Sequence, residues 1–396
     1  MKVCMVAYSF YEKDNRVRRY AETLVKRGDR VDVLSIRGEG QPSVETVDGV
    51  RVYRIQRRVV SEKGKFSYLA KLLLFFFRSF AFLTWKHLRE HYDLVHVHSI
   101  PDFEVFAALV PKLTGAKIIL DLHDLVPEFY VSKFKSPPGS PVFKILVGIE
   151  RMSTSFADHV IAANHIWLQR LYDRSVRRED CTVILNYPDT DIFHFRGRTR
   201  NDGKFLIAYP GSLNYHQGVD IAVRAFGMIA SQAPQAEFHI YGSGEQFDVL
   251  AALIEKLNLQ GRVMLKGTRS LEEIAEIMEN CDLGVVAKRS DCFGNEAFST
   301  KIFEFMSLDV PVIVPNTTID TYYFNDSVVR FFRANDDQSL AQAMLEMIRN
   351  PQARREIVRN AHEFIQGYTW DKNRSIYLGL VDSLVARAGN PVTAKG

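Results

Sequence analysis

Short runs of consecutive apolar residues alternate with stretches whose apolar positions recur every three or four residues. The runs at 2–8, 30–35, 94–98, 117–121, 160–162 and 182–185 read as strands, with helices at 15–27, 101–113 and 142–157 between them. Most runs are apolar throughout, as strands of a parallel sheet covered on both faces must be. Asn186-Tyr-Pro-Asp-Thr-Asp191 breaks this rhythm, and the basic stretch 194–203 has no periodicity. The alternation then restarts, with strands at 205–209, 237–241, 263–266, 283–287 and 310–314. Helices are predicted at 218–230, 246–257, 271–280 and 300–307. The pattern predicts an α/β protein of two doubly wound domains: an N-terminal domain over 1–188, a linker at 189–203 and a C-terminal domain over 204–370. Two further helices, at 351–364 and 371–387, follow the second sheet.

The most apolar stretch, 66–85, breaks the domain pattern. Lys71 and Arg78 interrupt it, and a single membrane span would bury both charges. Two readings stand: a helix packed on the first sheet, or an aromatic helix lying in a membrane interface. In the second, Arg57, Arg58, Lys63 and Lys65 would meet lipid phosphates. Charge supports an anionic partner for this half. Residues 1–186 hold 29 Lys and Arg against 21 Asp and Glu, whereas the remainder holds 22 against 26, giving the net +4. The four cysteines are scattered and form no zinc-like spacing, so a disulfide scaffold is excluded and a reduced cytoplasmic compartment is expected. The N-terminal apolar stretch is too short for a secretory signal and reads as the first strand. No compact nucleic-acid recognition motif appears.

The loop after the first strand, Ser9–Asn15, has no glycine, which removes the tight turn a dinucleotide fingerprint needs and argues against a nicotinamide oxidoreductase. In the second domain Tyr241-Gly-Ser-Gly244 follows a strand, so Gly242 and Gly244 serve either a tight turn or a ligand. The segment Glu296-Ala-Phe-Ser-Thr-Lys-Ile-Phe-Glu304 is the stronger signal. With Glu296 in a loop and a helix beginning near Ser299, the backbone around Phe298, Ser299, Thr300 and Lys301 offers unpaired N–H groups to a diphosphate. The two carboxylates are then placed for sugar hydroxyls and a ribose; the plainer reading makes Glu304 an ordinary paired helix residue. Asp121-Leu-His-Asp124 ends a strand at the sheet edge where α/β folds bind ligands, which raises His123 above His96 and His98. Those two alternate along one strand and read as lining its face.

These pieces resemble the retaining family 4 glycosyltransferases. The resemblance rests on Tyr209-Pro-Gly211, the 241–244 turn, Val263–Gly267, the glutamates at 296 and 304 as an E-x7-E pair, Val310–Val314, His123-Asp124 and Asn186-Tyr-Pro188. It implies the GT-B fold, two facing Rossmann-like domains with a cleft between them, and a last helix, 371–387, crossing back to the first domain. It places His123 beside the reacting sugar, Glu296 on the donor hexose and Glu304 on the nucleotide ribose. Gly211, Gly242 and Gly244 fall in the donor site. Two departures stand out: many family members carry cations at the positions of Ser212 and Gln217, which are neutral here. Lys288, Arg289, Lys301 and Arg16 are the candidate replacements. The expected activity is transfer of a sugar from a nucleoside-diphosphate sugar to a hydroxyl of a glycan or lipid-linked acceptor, in surface polysaccharide or glycolipid synthesis. No cofactor or metal is expected, and the predicted location is cytoplasmic, peripheral to the inner membrane face. The rivals are a sugar-nucleotide epimerase or hydrolase, and a non-catalytic nucleotide-sugar-binding protein.

Overall fold

The computed structural model describes residues 1–58 and 65–389, excluding the side chains of 65–66 and 387–389. It divides into two compact units, one of 1–130, 137–186 and 373 onward, the other of 131–136 and 187–372.

The first unit is built on eight strands: β1 (Lys2–Ala7), β2 (Arg30–Arg37), β3 (Val44–Val47), β4 (Val50–Arg57), β5 (Leu94–His98), β6 (Lys117–Leu122), β7 (His159–Ala162) and β8 (Cys181–Val183). Their order is β3-β4-β2-β1-β5-β6-β7-β8, parallel except for the β3–β4 hairpin. Val3, Met5, Val33, Val95, Val97, Ile118 and Leu120 are buried along the central strands. The order reverses between β1 and β5, a switch point that opens a crevice beyond the strands' carboxyl ends.

The second unit carries β9 (Phe205–Pro210), β10 (Ala236–Tyr241), β11 (Val263–Leu265), β12 (Leu283–Val285), β13 (Val312–Pro315) and β14 (Arg330–Phe332). The sheet is wholly parallel, ordered β11-β10-β9-β12-β13-β14, with its switch point between β9 and β12. Ile207, Phe226, Phe238, Leu340 and Met344 belong to its core. The stretch read as a linker is fastened to this unit: Glu279 accepts from the backbone of Arg196 and Gly197, Asn280 from Thr199 and Arg200, and Arg200 pairs with Asp282. Arg198 and Arg200 pair with local carboxylates and Arg196 donates to the Ile192 carbonyl, so the stretch has a defined course without periodicity.

Candidate functional site

In the first unit, chemistry gathers where β5 and β6 end. Register sets His98 directly opposite Asp121, so both project from the same face of the sheet. The helix Asn15–Arg27 starts with Asp14 as its cap, whose carboxylate accepts from the Val17 N–H. That cap fixes Arg16 in the first turn, where its guanidinium donates from Nε to Asp121 Oδ2 at 2.8 Å and from Nη2 to Oδ1 at 2.7 Å. Arg16 was a candidate for the donor phosphates; the structure instead spends it on a buried carboxylate, since an unpaired Asp121 at this depth would be severely destabilising. Burial alone would raise the Asp121 carboxyl, but Arg16 and the neighbouring histidines outweigh it and hold it well below the usual range.

His123, 22% exposed, follows β6 and places Nε2 3.3 Å from Asp121 Oδ2 and 3.1 Å from His98 Nδ1. His98 is therefore part of the site, beyond lining a strand face. His96 behind it contacts Tyr377 Oη at 3.0 Å. Burial lowers both of these histidines' pKa values, which favours their neutral forms. Burial likewise raises Asp124 to about 6, against the opposing pull of His123 and Arg16. His96, His98 and Asp121 are the group with metal-ligating chemistry among the described residues. Both oxygens of that carboxylate already accept from Arg16, which would stand against an added cation.

In the second unit the loops after β9 and β10 interlock. Gly211 N donates to Tyr241 O at 2.8 Å, and Leu213 N to Ser243 O at 2.9 Å. A Cβ on Gly242, at φ +139°, would fall 1.8 Å from the Gly211 carbonyl oxygen, and one on Gly244 2.5 Å from that of Leu213. These two glycines answer the tight-turn reading: they let two backbones touch. Gly211 makes room for a side chain, because its Cβ would lie 2.3 Å from Lys301 Cε.

The helix Thr300–Ser307 buries Ile302, Phe303, Phe305 and Met306, and carries Lys301 and Glu304 on its less buried side. Glu296 lies in the preceding loop, its N–H donating to Phe293 O at 3.0 Å. Ser299 occupies the cap position without capping, and its buried hydroxyl has no partner among the described residues. Phe298, read as a donor contact, packs its ring against Phe303, Tyr323 and Phe324.

The candidate cations separate sharply. Lys288 is buried, with Nζ 2.6 Å from Ala297 O and 3.1 Å from Asp320 Oδ2; burial lowers its pKa despite that partner. It is a strut beneath the Glu296 loop, with its charge balanced by Asp320. Arg289 donates to both oxygens of Asp220 at 2.7 Å and to Tyr215 O, and lies over the Tyr215 ring. It too is committed. Lys301 forms no ion pair among the described residues; its Nζ sits 3.5 Å from Gln217 Oε1 and 5.6 Å from the Tyr209 ring centre. The ammonium from the helix thus reaches the neutral side chain at 217. Burial lowers the Lys301 pKa, with Glu304 opposing, and raises that of Glu304, with Lys301 opposing.

Comparison with known proteins agrees with this architecture. Residues 14–186 match the family described as a glycosyl transferase 4-like domain, and residues 191–364 the glycosyl transferases group 1. An uncharacterised glycosyltransferase of Methanocaldococcus jannaschii is 28% identical over 290 residues, covering 72% of this chain and 73% of its own. Among solved structures, sucrose-phosphate synthase from Thermosynechococcus elongatus superimposes with a TM-score of 0.82 at 17% identity, covering 97% of this chain and 99% of that one. HepE from Anabaena, solved in complex with UDP-glucose, gives 0.68 at 19% identity, covering 96% and 99%. The chain belongs to the glycosyltransferases of the family 4 type and has the GT-B fold.

Proposed function

We propose that this glycosyltransferase moves a sugar from a nucleoside-diphosphate sugar to a hydroxyl acceptor, with retention of configuration and without a metal. The observation that carries the reading is Lys301: an ammonium that forms no ion pair among the described residues, at the start of a helix whose Ser299 hydroxyl has no partner among those residues, and beside Gly211. A diphosphate leaving group needs that combination of cation and helix N–H groups. The UDP-glucose bound by HepE supports a nucleotide-sugar donor. In this reading Glu304 holds the ribose, Glu296 contacts the hexose, and His123 takes part in transfer. The test is a screen of nucleotide sugars against membrane lipid extract, with the product's anomeric linkage determined. With the donor so found, E304A raises its Kd about 10-fold, the loss of one charged hydrogen bond. An unchanged Kd in folded E304A removes the ribose role, and free sugar released at an acceptor-independent rate replaces transfer with hydrolysis.

The acceptor is proposed to be lipid-linked, reached by peripheral binding at the cytoplasmic membrane face. The helix Lys65–Glu90 buries Leu72, Phe75, Ser79 and Leu83 on one side. The other side leaves Leu69, Leu73, Phe77, Trp85 and Leu88 open, Phe77 at 64% and Leu88 at 68%. The stretch from Ser67 is long and apolar enough to cross a membrane, yet its buried face belongs to the unit's core. An amphipathic helix lying in the interface satisfies both faces. Arg78 bonds Ile55 O and Arg58 lies over Tyr8, so neither extends freely toward lipid; Lys63 falls outside the described residues. The expected result is flotation with anionic liposomes at low salt, lost at high salt and on charge reversal at 57, 58, 63 and 65. Failure of the wild type to float at low salt makes the acceptor a soluble one.

A further inference from the structure

The contact between His98 and His123 has a consequence for which ring nitrogen of His123 carries its proton. Three atoms form a nearly equilateral triangle: His98 Nδ1 to His123 Nε2 at 3.1 Å, His98 Nδ1 to Asp121 Oδ2 at 3.4 Å, and His123 Nε2 to Asp121 Oδ2 at 3.3 Å. Asp121 is an acceptor only, and its Oδ2 already receives the Arg16 Nε–H at 2.8 Å. His98 lies wholly inside, its ring 4.2 Å from that of His96 and stacked near Tyr20. Its Nε2 meets no hydrogen-bond partner among the described residues, whereas its Nδ1 faces both the Asp121 carboxylate and His123 Nε2. A neutral imidazole has one N–H to place. On Nε2 that N–H would be a buried donor with nothing to bond, at the full desolvation cost. On Nδ1 it bonds.

We propose that His98 is a positioning residue that donates its Nδ1–H to His123 Nε2 and thereby fixes His123 as the Nδ1–H tautomer. Arg16 and Asp121 are the frame: the bidentate pair holds the carboxylate still, and the carboxylate holds the His98 proton on Nδ1. His123 then keeps one ring orientation and presents a defined donor, its own Nδ1–H. This is the same device by which a carboxylate or carbonyl behind a functional histidine selects its tautomer, here with a second histidine interposed. The inference rests on the reading that His123 takes part in transfer, but its first test does not.

The test is long-range 1H–15N correlation of the full chain with 15N-labelled histidine, His123 being assigned by its loss in H123Q. In the wild type, His123 Nδ1 is expected to give a protonated nitrogen shift and Nε2 an unprotonated one. H98L removes the donor, and His123 is expected to turn to the Nε2–H form facing Asp121 or to a mixture of the two. H98N, whose amide nitrogen stands near the former Nδ1, is expected to restore the wild-type pattern. With the donor sugar nucleotide, H98L lowers kcat on the order of 10- to 100-fold with donor KM little changed, and H98N recovers most of it. An Nε2–H signal for wild-type His123 overturns the proposal, as does an unchanged tautomer in H98L. A changed tautomer with unchanged kcat overturns the positioning role. If the wild type transfers no sugar at all, the function reading falls while the spectrum still decides the tautomer.

Discussion

K301M lowers kcat/KM by about 10²- to 10³-fold, the loss expected when one donor that stabilises a developing anion is removed. In the proposed reaction the leaving diphosphate gains charge as the glycosidic bond breaks, and the two positions at which the family 4 resemblance implies cations are the neutral Ser212 and Gln217. Lys301 is the ammonium that reaches Gln217, Gly211 having no side chain in its way. The methionine variant keeps the stem packed. Burial lowers the pKa of Lys301, so charging this group costs native stability below that pKa and the cost fades as pH rises through it. Removing it therefore leaves the melting temperature at neutral pH unchanged or higher. Activity and stability move apart, and unfolding cannot account for the loss. Adding Q217K to K301M returns an ammonium beside the vacated place and recovers part of the rate. Steady-state kinetics and a thermal melt decide it; full activity in K301M would hand the phosphate charge to another group.

H123A is expected to depress transfer by about 10²- to 10⁴-fold, the range for loss of a positioned proton-handling group. Its cost to stability is small, because the ring is partly exposed and Asp121 keeps its bidentate partner Arg16 when the imidazole goes. R16A gives the contrasting profile, since it strands a buried carboxylate. Titration with the nucleoside diphosphate should give the wild-type Kd for H123A, placing its defect in kcat. A large fall in melting temperature with near-normal transfer would return His123 to the protein's core.

Much of this was legible in the sequence, and what was missed has a physical reason. Continuous apolar runs located the central strands of both sheets, because parallel strands buried on both faces must be apolar throughout. The edge hairpin escaped: β3 reads VETV and β4 reads VRVYRIQR, alternating sequences of a half-exposed pair, and β14 spans three residues. The loop–helix placement of Glu296 and Glu304 followed from one stretch of chain. Telling Lys288 from Lys301 did not, because the difference is Asp320, brought in from another part of the fold. His98 was unreadable for the same reason, its importance lying in a register with Asp121 on another strand.

The Lys288 strut bears on how donor preference in such a chain would be redesigned. The loop with Glu296 is tied at the Ala297 carbonyl to an ammonium that Asp320 balances, and Thr317 in turn donates to Asp320. The loop that carries Glu296 is thus tied down by three residues outside the motif. A graft of residues 296–304 alone into another scaffold would carry the right side chains on an unsupported loop. The transplantable cassette is discontinuous, and it includes positions 288, 317 and 320.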